Sequence, residues 1–181
     1  MTTYCDYCNS HPEDTFNKSY HDTQYGFPLH DDNLLFERLV LEINQAGLSW
    51  ITILKKADNF RKAYHGFEIE KVASYDENNR MRLLADAGII RNRLKVNAAI
   101  LNAQKILELR KEHNTFKGWL DAHHRLTKEE WVKLFKKTFV FTGGEIVNEF
   151  LMSTGYLPGA HDENCPVYRR VASLRPAWMR R

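Results

Sequence analysis

A β-strand needs a neighbour, and this sequence offers at most one candidate. Residues 137–142, with Phe139, Val140 and Phe141, read as a short strand, and no second stretch reads as its partner. Elsewhere apolar residues recur at helical spacing, so an all-α fold is expected. Leu35, Leu39, Ile43 and Ala46 line one face after Asp31 and Asp32, whose carboxylates can accept bonds from free N–H groups at a helix start. Gly47 ends that helix, and Ser49 can cap a second one carrying Trp50, Ile53, Leu54 and Phe60. A short helix is expected over 68–74, and Asp76 can cap another that runs through Met81, Leu83 and Leu84 to Ala87. After Gly88 a long helix is expected over 91–113, with Val96, Ile100, Ala103 and Leu107 in register. Thr127 with Glu130 forms a capping box ahead of Trp131, Leu134 and Phe135, and a last core helix is expected over 145–153.

At 181 residues, with 43% apolar and 27% charged residues, the chain can bury one sizeable core. No repeat or Pro/Gly/Ser-rich linker divides it, so 1–165 reads as a single helical unit. The segment 166–181 carries five arginines and no acid and reads as a solvated basic tail. A formal charge of +3 permits a nucleic-acid partner without requiring one. The start, MTTYCDYCNSHPED, lacks the apolar centre of a signal peptide, and no apolar run approaches the roughly 20 residues of a membrane span. A soluble, cytoplasmic protein is expected.

The three cysteines are too few, and odd in number, for a disulfide framework. Metal binding is the more informative use. His161 and Cys165 stand four residues apart, Cys5 and Cys8 form a second short-spaced pair, and His21 follows. Structural zinc takes four nitrogen or sulfur ligands in a tetrahedron. Five candidates compete for those four places, and a metal there would fasten the N-terminus to the C-terminal region. Nothing matches the spacing of a catalytic zinc motif.

Glu42 borders the apolar face of its helix, among Val40, Leu41 and Ile43, where a carboxylate has a perturbed proton affinity. Tyr20 and Tyr25 flank His21 in SYHDTQYGFP, and loop aromatics can stack on a ligand, as can Trp50. LADAGIIRNRLKVNAAI reads as helix, glycine turn, basic helix. Backbone N–H groups at such a turn, here around Gly88 and Ile89, can face a phosphate, with Arg91, Arg93 and Lys95 adding positive charge.

Together these stretches resemble the 3-methyladenine DNA glycosylase I family. SYHDTQYGFPLHDDNLLFERLVLEINQAGLSWITILKK is similar to its Y-H-D-x-x-W-G-x-P and L-E-x-x-Q-A-G-L-S-W blocks, DAGIIRNRLK to its hairpin, and GYLPGAHDENC to its C-terminal H-x3-C. The resemblance runs from Cys5 to about Cys165. It implies an all-α helix-hairpin-helix glycosylase of two helical lobes, with the hairpin near 84–100. It also implies a structural Zn2+ held by Cys5, His21, His161 and Cys165, which leaves Cys8 a spectator. Glu42 matches the acid that recognises the methylated adenine, Tyr20 a pocket tyrosine, and Trp50 the aromatic that stacks on the base. Tyr25 stands where the family has tryptophan. The implied activity is monofunctional hydrolysis of the N-glycosidic bond of 3-methyladenine in double-stranded DNA, by base flipping.

Besides Tyr25, the chain departs from the family at three places. Asn17 replaces a tyrosine, Gly144 and Glu145 replace small polar or proline positions after Gly143, which matches the family's glycine, and a segment is trimmed between about Trp119 and Phe139. These departures keep a rival open, a damaged-DNA binder of the same fold without catalysis. A lyase would need a lysine such as Lys95 to form a Schiff base. A helical interaction module would have no need of an acid among pocket aromatics.

Overall fold

The computed structural model describes residues 2–180; Met1 and Arg181, the last arginine of the basic segment, lie outside it. The described residues form eleven α-helices and two short 3-10 turns, and no strand is found among them. The helices are α1 (Tyr4–Ser10), α2 (Thr15–Thr23), α3 (Asp32–Gln45), α4 (Trp50–Ala63), α5 (Ile69–Ala73) and α6 (Glu77–Ala85), followed by α7 (Arg93–His113), α8 (Phe116–Ala122), α9 (Lys128–Thr138), α10 (Gly144–Ser153) and α11 (Pro166–Ser173). Among the described residues, no helix is long and apolar enough to cross a membrane.

The capping signals act where the sequence places them, with two differences. Asp31 caps α3 by accepting from the Leu34 N–H at 3.0 Å. Asp32 instead reaches across the fold and caps α8, accepting from the backbone N–H groups of Phe116 (2.8 Å) and Lys117 (3.0 Å). Ser49 holds the extended backbone of an N-cap at α4, but its hydroxyl pairs with that of Thr52 rather than with the helix N–H groups. Asp76 and Thr127 both close full capping boxes.

The expected strand is absent for a visible reason. α9 runs through Thr138, and the chain then turns at Phe141, whose φ is +61°. The hydrogen bonds a neighbouring strand would make to Val140 come from one side chain, Asn102, whose amide oxygen accepts from the Val140 N–H (2.8 Å) while its nitrogen donates to the Val140 carbonyl (3.0 Å).

Helix α3 is buried on every side from Leu35 to Asn44, not along one stripe, because α4, α5, α7, α8 and α10 all pack around it. Its polar residues are therefore forced inside and must find partners. Glu37 takes Arg61 at 2.8 Å, Arg38 donates to the Tyr20 hydroxyl (3.1 Å) and the Ser153 carbonyl (3.2 Å), and Asn44 donates to the Val40 carbonyl (2.8 Å). Among the described residues, nothing hydrogen-bonds the Glu42 carboxyl.

The basic C-terminal segment is folded through Arg180. Val167 and Val171 of α11 pack on Cys5 and Cys165, and Ala177 joins the main core. The charge count hides this face, because Arg169 and Arg170 lie between the two valines in sequence but are exposed on the outer side of the helix.

Candidate functional site

The open end of α3 meets α1, α2, α4 and α10 around a cleft of about 220 Å3. Its walls are Tyr4, Tyr20, Tyr25, Glu42, Gln45, Trp50 and Glu149. All four residues singled out for a pocket, Glu42, Tyr20, Tyr25 and Trp50, meet here. Tyr20 lies 5.1 Å from Trp50 and 5.7 Å from Tyr25 between ring centres, and Tyr4 stands edge-on to Tyr25 at 5.4 Å. Flat rings on several sides suit a flat ligand.

Three walls were not anticipated. Gln45 lies one turn beyond Glu42, within the motif block already noted, so helical spacing alone could have found it. Tyr4 comes from α1 and donates from its hydroxyl to the Asn17 Oδ1 at 2.9 Å, at the position where the family tyrosine is missing. Glu149 lies one turn after Glu145 on α10, and the Tyr25 hydroxyl donates to its Oε2 at 3.2 Å. Glu145 itself is exposed, beside a neighbouring groove lined by Gln45, Ala46, Gly47, Gly143, Gly144, Ile146 and Glu149.

Burial pushes the Glu42 carboxyl up to about 8, with the Glu149 carboxylate adding to the rise and the Arg38 guanidinium opposing it. Glu149 is raised in the same way, by burial first and by Glu145 after it. Near neutral pH Glu42 therefore holds its proton, so the perturbed proton affinity expected from its apolar neighbours takes the direction that burial gives it.

The metal-ligand candidates resolve into one cluster. Ligand atoms of Cys5, His21, His161 and Cys165 all lie within 4.8 Å of one another, every one of them buried, and this group could hold a metal ion. The Cys5 Sγ is 3.3 Å from the His21 Nε2 and 3.6 Å from the His161 Nδ1. Each imidazole has its other nitrogen engaged outside the cluster. His21 Nδ1 lies 2.7 Å from the Asp22 carboxylate, and His161 Nε2 lies 2.7 Å from the Tyr25 carbonyl. An N–H donated to each of those acceptors leaves the inward nitrogen bare, which is the state a metal needs. Two sulfurs and two nitrogens match a closed structural site. Cys8 is excluded, with its sulfur turned to the Asn17 carbonyl at 3.7 Å. Gly26 permits the tight approach: its φ is +80°, and a Cβ there would sit 2.8 Å from the Ala160 Cβ and 3.3 Å from the His161 ring.

The glycine turn joins α6 to α7, and its five named residues divide. Arg91 and Arg93 are exposed, with Arg93 3.5 Å from Glu77. Ile89 is buried in the core and anchors the turn. The Gly88 N–H already donates to the Asp86 Oδ1 at 2.8 Å, and Asn59 packs where a Cβ at Gly88 would go. Lys95 is a correction. It is buried, and its ammonium donates to the carbonyls of Asn44 (2.8 Å) and Ala46 (2.7 Å), so it closes the C-terminal end of α3 instead of facing a phosphate. The same two bonds hold the amine away from a Schiff-base role. Lys95→Ala is expected to cost about 1–3 kcal/mol in denaturant unfolding by leaving those buried carbonyls unpaired. It should leave the salt slope of DNA binding unchanged, whereas Arg91→Ala should reduce that slope by about one.

The helical body thus sets an acid among aromatic rings beside a Cys2His2 cluster. Comparisons with known proteins give the family. The sequence profile described as methyladenine glycosylase matches residues 9–132. The chain is 35% identical over 180 residues to DNA-3-methyladenine glycosylase 1 of Escherichia coli (strain K12), covering 89% of this chain and 96% of the relative. It is 34% identical over 185 residues to DNA-3-methyladenine glycosylase of Haemophilus influenzae, covering 92% and 98%. Among solved structures, 3-methyladenine DNA glycosylase I from Staphylococcus aureus superposes with a TM-score of 0.81 at 31% identity, covering 91% of this chain and 97% of that one. A tyrosine-to-phenylalanine variant of 3-methyladenine DNA glycosylase I, solved in complex with 3-methyladenine, also superposes at 0.81 and 31% identity, covering 88% and 96%. The chain belongs to the methyladenine glycosylase family and is an N-glycosyl hydrolase of that class.

Proposed function

We propose that the protein excises 3-methyladenine from duplex DNA by base flipping and hydrolysis, without a lyase step. The observation that carries this reading is the cleft, where aromatic rings surround a buried acid that has no hydrogen-bond partner among the described residues. A buried polar group without a partner is costly, and a ligand that supplies one recovers that cost.

The chemistry follows from the lesion. Methylation at N3 places positive charge on the adenine and weakens its glycosidic bond, so the departing base needs little protonation. The faces of Tyr20, Trp50 and Tyr25 attract such a cation. Its arrival favours the Glu42 carboxylate over the carboxyl, so Glu42 releases its proton to solvent as it pairs with the base or accepts from the exocyclic amine. Normal adenine, being neutral, offers no such gain, and this difference gives Glu42 most of the lesion selectivity.

Arg91, Arg93 and the N-terminus of α7 contact backbone phosphates in this reading and carry no base specificity. α6, the turn and α7 then act as the helix-hairpin-helix. Cys5, His21, His161 and Cys165 hold a structural zinc, which supplies a tetrahedral crosslink between α1, α2 and the chain entering α11. The Cys2His2 donor set and the outward bonds of both imidazoles support that assignment.

The direct test is chromatography of free bases released from dimethyl-sulfate-treated duplex DNA. The folded protein is expected to release 3-methyladenine, leave the strand uncut and form no borohydride-trapped adduct. A protein that shifts methylated DNA in a gel yet releases no base would be a binder of the same fold, and the enzyme reading would fail.

A further inference from the structure

Two carboxylates line the base cleft, and the family motif accounts for one of them. Glu42 enters from α3 and Glu149 from α10, on the same cavity of about 220 Å3. Tyr25 lies between their roles: its ring walls the cleft, and its hydroxyl donates to the Glu149 Oε2 at 3.2 Å. No lysine or arginine among the described residues hydrogen-bonds either carboxylate. Arg38, one turn before Glu42, is directed to the Tyr20 hydroxyl and the Ser153 carbonyl, with its guanidinium 5.0 Å from the Tyr20 ring centre. The cleft thus presents two acids, each harder to ionise because of its surroundings, with Arg38 and Lys128 acting on them only without a direct hydrogen bond.

We propose that Glu149 is a specificity-determining residue, which with Glu42 makes a two-carboxylate clamp that admits purine bases carrying positive charge and disfavours uncharged ones. The inference rests on the reading of this cleft as the base pocket. A cation beside the two acids favours the ionised form of both and is attracted by both, whereas a neutral base leaves Glu42 holding its proton and gains no such attraction. Tyr25 is the positioning residue, since its hydroxyl holds the Glu149 carboxylate toward the cleft. The groups facing Glu42 are Arg38, Tyr20, Tyr25 and Glu149, and those facing Glu149 are Tyr25, Asn148, Glu145 and Lys128.

The test compares wild type, Glu149→Gln and Tyr25→Phe on two duplexes, one carrying cationic 3-methyladenine and one carrying hypoxanthine, a neutral purine lesion. Glu149→Gln is expected to lower kcat/KM on 3-methyladenine about tenfold, as one opposing charge within hydrogen-bonding range is worth about one pKa unit or more. Activity on hypoxanthine should hold or rise, so the ratio between the two falls. Tyr25→Phe should move the ratio the same way by less, and it keeps the proposal testable if Glu149→Gln does not fold. The pH profile supplies a readout that a merely structural role would not move. Removing the neighbouring negative charge makes Glu42 easier to ionise, so the acid limb of kcat/KM should shift to lower pH. An unchanged ratio and an unchanged acid limb, in a variant that melts like wild type, would overturn the proposal. Absence of 3-methyladenine release by wild type would instead defeat the base-pocket reading on which it rests.

Discussion

Glu42→Gln is expected to lose about 100- to 1,000-fold in 3-methyladenine excision and, in the same protein, to raise the melting temperature at alkaline pH. The first effect follows from removing a buried acid of the cleft that has no hydrogen-bond partner among the described residues. Glutamine keeps the shape and can still accept a hydrogen bond, but it cannot gain charge when a cationic base arrives. The second effect follows from linkage. The folded Glu42 titrates near 8 and an unfolded carboxylate near 4.5. Between those values the folded chain retains a proton that the unfolded chain has released, so stability falls as pH rises from 4.5 through 8. Above pH 8 the whole penalty is present, and its removal should stabilise the variant by roughly 2–5 kcal/mol. Below pH 4.5 the two proteins should melt alike, since the group is protonated in both states. Base release measured beside thermal melts from pH 4 to 9 checks both parts. Excision at the wild-type rate would remove Glu42 from the mechanism, and a variant with no pH-dependent gain in stability would show that its carboxyl is not held protonated by the fold.

The second large effect concerns the Cys2His2 cluster. Cys165→Ser is expected to abolish binding of one equivalent of zinc and to lower stability by about 3–5 kcal/mol, or roughly 10 °C in a domain of this size. Cys165 stands at the N-cap of α11, Cys5 lies on α1 and His21 on α2, so one ion would tie together three segments from the two ends of the chain. Cys8→Ser should keep its zinc, because that sulfur faces the Asn17 carbonyl and lies outside the cluster. The loss should also reach the cleft. His161 bonds the Tyr25 carbonyl at 2.7 Å, and the Tyr25 ring is a cleft wall, so freeing His161 loosens the wall and lowers excision. Metal analysis, melting curves and base release on the two variants separate these claims. Zinc retained by Cys165→Ser, or lost by Cys8→Ser, would contradict the ligand assignment.

Much of this was legible in the residues. Caps and periods marked nearly every helix, because a capping bond and a 3.6-residue repeat are local properties carried by a few neighbouring side chains. Tyr20, Tyr25, Glu42 and Trp50 could be named together because they lie within one continuous motif block, and Cys5, His21, His161 and Cys165 through resemblance to the family pattern. Val140 shows where local reading stops. Its β-like neighbours suggested a strand, and Asn102, 38 residues earlier, satisfies its backbone instead. Lys95 shows the same limit for charge: a lysine beside two arginines in sequence looks like part of a phosphate site until the end of α3 is seen against it.

The sequence by itself determined that the chain is helical, where most helices begin, and which family of sites it carries, since those depend on residue types and short spacings. Tertiary structure alone decided which groups share a space. It buried α3 on all sides and so turned Glu42 from a helix glutamate into a proton-holding acid. It brought Tyr4 to Asn17 and set Glu149 beside Glu42, across more than a hundred residues of chain. The proton affinity of a carboxyl depends on what lies within a few ångströms of it, and only the packing of distant helices sets that distance.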